Sequence, residues 1–71
     1  MNALHRYTRL PLEELRTLFR LIQKHPGSTL YDLAKIKGWT QGKTTRRLIA
    51  LEAVSLLVYE DERGGLYPFQ G

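Results

Sequence analysis

Residues 40–57, TQGKTTRRLIALEAVSLL, decide the fold, because this stretch separates apolar from cationic positions at helical spacing. At about 100° of rotation per residue, one stripe is expected to face a core, with Leu48 and Leu51 as its apolar anchors. The predicted stripe consists of Gln41, Thr44, Leu48, Leu51 and Ser55. Lys43 and Arg46 fall opposite this stripe, with Arg47 on their flank. The pattern therefore predicts a helix over 40–55 that presents three cations to solvent, with Gln41 and Thr45 at the edges of the cationic face.

A second, shorter helix is predicted over 29–37, directly before this stretch. Thr29 followed by Asp32 matches a capping box with Asp in place of Glu, and Gly38 is suited to ending the helix. Only Gly38 and Trp39 then separate this helix from Thr40, whose hydroxyl can cap the next helix. We expect a tight turn between the two helices, with Trp39 filling the corner and base stacking as the alternative role of its ring.

The first predicted helix covers 11–25. Pro11 is suited to a first helical turn, Glu13 and Glu14 favour the positive end of the helix dipole, and apolar residues recur at helical spacing from Leu12 to Ile22. The proline and glycine of residues 25–27 are expected to end it. Residues 1–9 carry two arginines and one histidine without a clear period. We interpret them as a basic arm that touches phosphates, or alternatively as a frayed terminus.

The pattern changes to period two after Leu57, which predicts a β-hairpin over 57–69. Gly64 and Gly65 can supply the turn, and Pro68 limits the second strand to an edge position. The chain thus reads as one mainly α domain of the α+β class over 1–71, with three helices and a C-terminal two-stranded hairpin.

The charge of this 71-residue chain is unevenly distributed. Residues 1–50 hold ten of the eleven lysines and arginines against three acids, a net +7, whereas residues 51–71 sum to −3. A basic half attracts phosphate, so a nucleic acid is a natural partner and the acidic end should point away from it. No run resembles a signal peptide or approaches the roughly 18 apolar residues of a membrane span, so we expect a cytoplasmic protein.

Other chemistry finds little support in the sequence. Gly42, Lys43 and Thr44 resemble the end of a phosphate-binding loop, but the first glycine of that motif would fall at Lys37. The chain has no cysteine, and His5 and His25 have no neighbouring ligands. Because neither a nucleophile with a base nor a carboxylate pair is evident, we expect no enzyme, no metal and no cofactor.

The segment over 30–69, LYDLAKIKGWTQGKTTRRLIALEAVSLLVYEDERGGLYPF, resembles the winged helix-turn-helix domains of bacterial and archaeal transcription regulators. The recurring features are Leu33 with Ala34, Gly38, Thr40 at the start of the recognition helix, Leu48, Leu51 with Glu52, Leu56 to Val58, and the hairpin. The resemblance implies that the exposed residues of the third helix read bases. It also implies that the hairpin, called the wing, grips the flanking backbone or minor groove.

Two features of the sequence depart from this family. Ser55 stands where the family commonly has glycine, which implies either ordinary backbone there or strain. Glu60, Asp61 and Glu62 make the wing acidic, whereas DNA-binding wings tend to be basic. Arg63 at the tip can enter a minor groove, with simple solvation as the alternative.

The favoured hypothesis is a small transcription regulator that binds double-stranded DNA. Lys43 and Arg46 would contact bases or phosphates, and Thr40, Gln41 and Thr45 would position the helix. Phosphate contacts are assigned to Arg47, Lys35 and Lys37, and the wing contact to Arg63. A homodimer is expected, because one such domain contacts few base pairs.

The alternative hypothesis is a protein-interaction adaptor that docks a partner through the acidic hairpin at Glu60, Asp61 and Glu62. The sequence also leaves open a preference for structured RNA over DNA. The surface used for dimerisation is open as well, between the first helix, the N-terminal arm and the hairpin.

Overall fold

The computed structural model describes residues 11–69, in which three helices precede a two-stranded antiparallel hairpin. The helices are α1 (Leu12–Lys24), α2 (Leu30–Lys37) and α3 (Gln41–Ala53), and the strands are β1 (Val58–Glu60) and β2 (Leu66–Pro68). The mainly α, winged-helix layout predicted from the sequence is confirmed, and every element begins and ends within two residues of its predicted range. The predicted arm over 1–9 lies outside the described residues. No helix in residues 11–69 has both the length and the apolar character to cross a bilayer.

Local side-chain contacts account for where α2 and α3 begin. The Asp32 backbone N–H donates to Thr29 Oγ1 (3.2 Å), and the Thr29 N–H donates back to Asp32 Oδ2 (3.0 Å), so the predicted capping box is confirmed. Gly38 ends α2 with φ +71°. Thr40 Oγ1 accepts the N–H of Lys43 at 3.0 Å and caps α3, also as predicted.

The core lies around α1, which supplies half of its buried aliphatic side chains. These are Leu15, Leu18 and Ile22 from α1, together with Leu33, Leu51 and Leu66 from the other elements. One polar residue, Thr44 of α3, is also completely buried, and its hydroxyl donates to the Thr40 carbonyl (2.8 Å). Since that hydrogen bond satisfies the buried hydroxyl, Thr44 can face the core without a large desolvation cost.

The wing is fastened to the body of the domain by backbone hydrogen bonds. The Gly27 N–H donates to the Leu66 carbonyl and the Leu66 N–H donates to the Ser28 carbonyl, both at 2.8 Å. Ser28 therefore forms a bridge to β2 on the side away from β1. The sequence predicted only a helix stop at this turn, because the pairing joins residues that are far apart in the chain.

Ser55 turns the chain from α3 toward β1 through a left-handed backbone, with φ +64°. It is the one non-glycine residue with positive φ among residues 11–69. Of the two alternatives raised by the missing glycine, strain is therefore the correct one.

Candidate nucleic-acid interface

The face that α3 turns to the core differs from the predicted stripe. Thr44 and Leu51 are buried, whereas Gln41, which was placed on the buried stripe, is exposed. The exposed residues of α3 are Gln41, Gly42, Thr45, Arg46, Ile49, Glu52 and Ala53. At about 100° per residue, the observed core face is rotated by roughly 60° from the predicted one. Thr44 and Leu51 were placed correctly on the core side. Gln41 and Ser55 are exposed instead, and Lys43, Arg47 and Ala50 are half-buried, which shifts the centre of the inner face.

This rotation moves two of the three predicted groove cations to the side of α3 that faces α1. Arg47 Nε donates to Glu14 Oε1 at 2.7 Å, and Lys43 Nζ donates to Glu14 Oε2 at 3.1 Å. The side chains of Lys43 and Arg47 are only 32% and 26% exposed. The prediction that they face open solvent beside Arg46 is therefore wrong. Sequence reasoning assigned Glu14 to the helix dipole and missed its contact with α3.

Trp39 fills the corner between α2 and α3, as predicted, and also attracts two ammonium groups. Lys43 Nζ lies 4.8 Å from the centre of its ring, and Lys37 Nζ lies 5.1 Å from the same centre. Lys37 also donates to Thr17 Oγ1 at 3.1 Å. Lys37 is thus anchored to α1, whereas Lys35, the other α2 lysine assigned to phosphates, is exposed.

Arg46 faces solvent, as the helical spacing predicts. It is exposed, and within residues 11–69 no carboxylate pairs with it. Its guanidinium lies along the helix toward Gly42, where an added Cβ would be 3.5 Å from Nη1. Gln41 is exposed beside it, and the Thr45 hydroxyl donates to the Gln41 carbonyl at 2.9 Å, which leaves its oxygen free to accept.

Ile49 lies on the same exposed face and was not among the predicted site residues. It is 69% exposed, the most exposed large apolar residue among those described. A groove of about 230 Å³ separates it from the start of the wing and is lined by Leu48, Ile49, Glu52, Leu56, Leu57 and Val58. By its residue type alone, Ile49 would be expected in the core. Its spacing from Thr45 and Arg46 is the signal that places it on the free face.

The wing tip uses one of its three acids to hold its own turn. Asp61 Oδ1 accepts the N–H groups of Gly65 (2.7 Å) and Arg63 (2.9 Å), and Oδ2 accepts the Tyr67 hydroxyl (3.1 Å). These hydrogen bonds lower the pKa of the Asp61 carboxyl, and the bond from the Gly65 N–H contributes most. Arg63 is exposed beside this turn. Of the acid run assigned to a protein partner, only Glu60 and Glu62 remain free of such hydrogen bonds.

The electrostatic character of the remaining surface is set by cations without ion-pair partners in the described part of the chain: Arg16, Arg20, Lys24, Lys35, Lys37, Arg46 and Arg63. The first three lie on α1 and were not assigned a role by the sequence. Residues 11–69 contain no group of three His, Cys, Asp or Glu side chains that could hold a metal. Comparisons of the chain with protein-family models, with curated proteins and with solved structures found no match.

Proposed function

We propose that the protein binds double-stranded DNA sequence-specifically, as a small transcription regulator, with α3 in the major groove. The observation that carries the proposal is the uncovered face of α3, on which Gln41, Thr45, Arg46 and Ile49 are exposed together. Behind this face the helix is held by buried Leu51, buried Thr44 and the ion pairs to Glu14. A rigidly supported helix with a free polar face is what groove recognition requires.

The chemistry of the exposed side chains matches the edges of bases in the major groove. An arginine can donate two hydrogen bonds to guanine, a glutamine can pair with adenine in both directions, and an aliphatic side chain can contact the thymine methyl group. On this proposal Arg46 reads guanine, Gln41 reads adenine and Ile49 lies against thymine. Lys35 and Arg63 contact phosphates, because both are exposed and have no ion-pair partner among the described residues.

The contact with DNA is expected to involve two copies of the chain. The exposed face of α3 spans few base pairs, and a second copy on a neighbouring half-site doubles the number of bases read. Titration of a duplex at concentrations well above the Kd would give this stoichiometry directly.

The test is fluorescence anisotropy with a duplex selected from a random pool, measured over a salt series against single strands and RNA. Arg46→Ala should weaken binding to the selected duplex by about 1–3 kcal/mol, the cost of losing an arginine that reads a base. Arg16→Ala is the matched control, since it removes an equal, exposed charge from α1.

Two results would contradict the proposal. Equal losses in Arg46→Ala and Arg16→Ala would mean that binding is general attraction to phosphate. Failure of the wild-type protein to prefer any duplex over a scrambled one would remove sequence-specific recognition altogether.

A second candidate function, docking of a protein partner on the wing, is favoured by one observation. Tyr59 is half exposed and stacks on Tyr67, with ring centres 5.2 Å apart, next to the free carboxylates of Glu60 and Glu62. An aromatic platform flanked by acids suits a basic partner surface. Charge reversal at Glu60 and Glu62 should then abolish the partner interaction while duplex affinity stays equal or rises.

A further inference from the structure

Glu14 connects α1 to α3 through a single carboxylate that is shared between two cations. Its two oxygens accept separately, Oε1 from Arg47 at 2.7 Å and Oε2 from Lys43 at 3.1 Å. Lys43 and Arg47 are four residues apart, so both lie on the same side of α3, one turn from each other. No other ion pairs occur among residues 11–69, although nine cations are present there.

The neighbouring acid, Glu13, differs from Glu14 chiefly in having no contact with α3. It is exposed on the adjacent face of α1 and makes no side-chain hydrogen bond or ion pair to a described residue. Both glutamates carry the same charge in the same helical turn, and both favour the positive end of the α1 dipole. The difference between them therefore isolates what the contact with α3 does.

The contacts with Glu14 draw the cationic groups of Lys43 and Arg47 toward α1 and away from the free face of α3. Arg47 directs its Nε to Glu14, and the Lys43 ammonium lies between Glu14 and the Trp39 ring. Both side chains nevertheless keep about a quarter to a third of their surface exposed, and one carboxylate does not neutralise two cations. A polyanion that came close would compete with Glu14 for them.

Resting on the proposed function, we propose that Glu14 is a specificity-determining residue: it withholds Lys43 and Arg47 from DNA phosphates and so suppresses binding to DNA of unrelated sequence. Phosphate contacts supply nearly all of non-specific affinity, whereas base contacts by the free face of α3 depend on sequence. Holding back two cations therefore weakens non-specific binding more than specific binding. The specificity ratio rises although the absolute affinity falls.

The experiment compares Glu14→Gln with Glu13→Gln on a selected duplex and on a scrambled duplex of the same composition. Glu14→Gln should tighten binding to the scrambled duplex by about 3- to 30-fold at low salt and make the logarithmic salt slope steeper by up to about 2, one for each released cation. Binding to the selected duplex should tighten less. Glu13→Gln removes the same charge and should leave the specificity ratio nearly unchanged.

A second pair of variants separates release of the cations from a loosened fold. Arg47→Gln should change the scrambled-duplex affinity little in the wild-type background, because Arg47 is held by Glu14. The same change should remove much of the gain in the Glu14→Gln background, which is the coupling that a double-mutant cycle measures. Thermal unfolding by circular dichroism establishes that each variant is folded at the temperature of the titration.

The outcomes distinguish this inference from the proposed function. If wild type and Glu14→Gln prefer the selected duplex to the same extent, Glu14 has no such role while sequence-specific binding stands. The same conclusion follows if Glu13→Gln has the same effect as Glu14→Gln. If no variant prefers any duplex, both proposals are overturned.

Discussion

Among residues 11–69, Ser55 is the one non-glycine residue whose backbone lies in the left-handed region. Its φ of +64° places Cβ close to the neighbouring carbonyl oxygen, a conformation that glycine adopts freely. The position is fixed from both sides, because the Ser55 N–H donates to the Glu52 carbonyl and the Leu56 N–H donates to the Leu51 carbonyl, both at 3.0 Å. This strained conformation turns the chain from α3 toward β1.

Ser55→Gly should therefore raise the free energy of unfolding by about 0.5–1 kcal/mol, the relief of strain less the extra freedom of glycine in the unfolded chain. Urea denaturation followed by circular dichroism measures the change. Ser55→Ala keeps the Cβ and should bring no gain. A gain of equal size in Ser55→Ala would instead identify the hydroxyl, and not the Cβ, as the cause.

At the scale of elements, the hairpin depends on the carboxylate of Asp61 and on the lack of a side chain at Gly65. Asp61 accepts three hydrogen bonds across the turn, and a Cβ at Gly65 would lie 2.9 Å from both Asp61 Oδ2 and the Gly27 carbonyl oxygen. The strands are only three residues long, so the ladder alone gives them little stability. The wing is therefore organised by its turn more than by its strands.

Asp61→Ala should loosen the wing while leaving the helices folded, because it removes the acceptor for the Gly65 and Arg63 N–H groups and for the Tyr67 hydroxyl. Amide hydrogen exchange should accelerate at least tenfold at Gly65 and Tyr67 and stay unchanged in α1. Glu62→Ala is the matched control, since Glu62 is an exposed acid of the same turn. Uniform acceleration across α1 and the wing would contradict this division.

Most of the element boundaries could be predicted from the sequence because their causes are local. The capping box of Thr29 and Asp32, the cap at Thr40 and the left-handed Gly38 each act within four residues. The rotation of α3 could not be predicted in the same way. Its wheel holds few large apolar residues, and the ion pairs of Lys43 and Arg47 with Glu14 of α1 depend on packing between elements.

The candidate site was correspondingly predicted only in part. Gln41, Thr45 and Arg46 lie together on a free face, whereas Lys43 and Arg47 lie behind it and Ile49 joins it. The helix α3 could be identified from the helical spacing of its apolar and cationic residues alone. Identification of its exposed cations required knowing which acid of another helix would meet them, and no spacing in the sequence encodes that distance.

On the scale of the whole molecule, three carboxylates add polar contacts to the apolar contacts of the small core. Glu14 links α1 to α3, Asp32 caps α2 and Asp61 closes the wing. The pKa of each carboxyl is lowered by hydrogen bonds to its charged form. For Glu14 the largest contribution comes from Arg47 and the next from Lys43. For Asp32 the donor is Thr29, and for Asp61 the Gly65 N–H contributes most. The three groups therefore favour the folded state in their charged form.

Acid should destabilise the domain in a defined window. Because the folded pKa values lie below the unfolded ones of about 4, the stabilisation is fully present above that pH and is lost as the pH falls through the folded values. The thermal midpoint should be level from pH 7 to about 5 and then fall steadily toward pH 2. The double variant Glu14→Gln, Asp61→Asn should have a lower thermal midpoint than wild type at pH 7, and its midpoint should fall less as the pH decreases. A wild-type midpoint that is independent of pH down to 2 would contradict this account.

The bridge between Ser28 and Leu66 limits how the wing can move. Two backbone bonds of 2.8 Å join β2 to the turn between α1 and α2, so the base of the wing is tethered to the helices. For DNA bound as proposed, a flanking strand that runs too far from the tethered wing would have to curve toward the protein to contact it. On the proposed function, steps that kink easily, such as TA or CA, are favoured beside the bases that α3 touches.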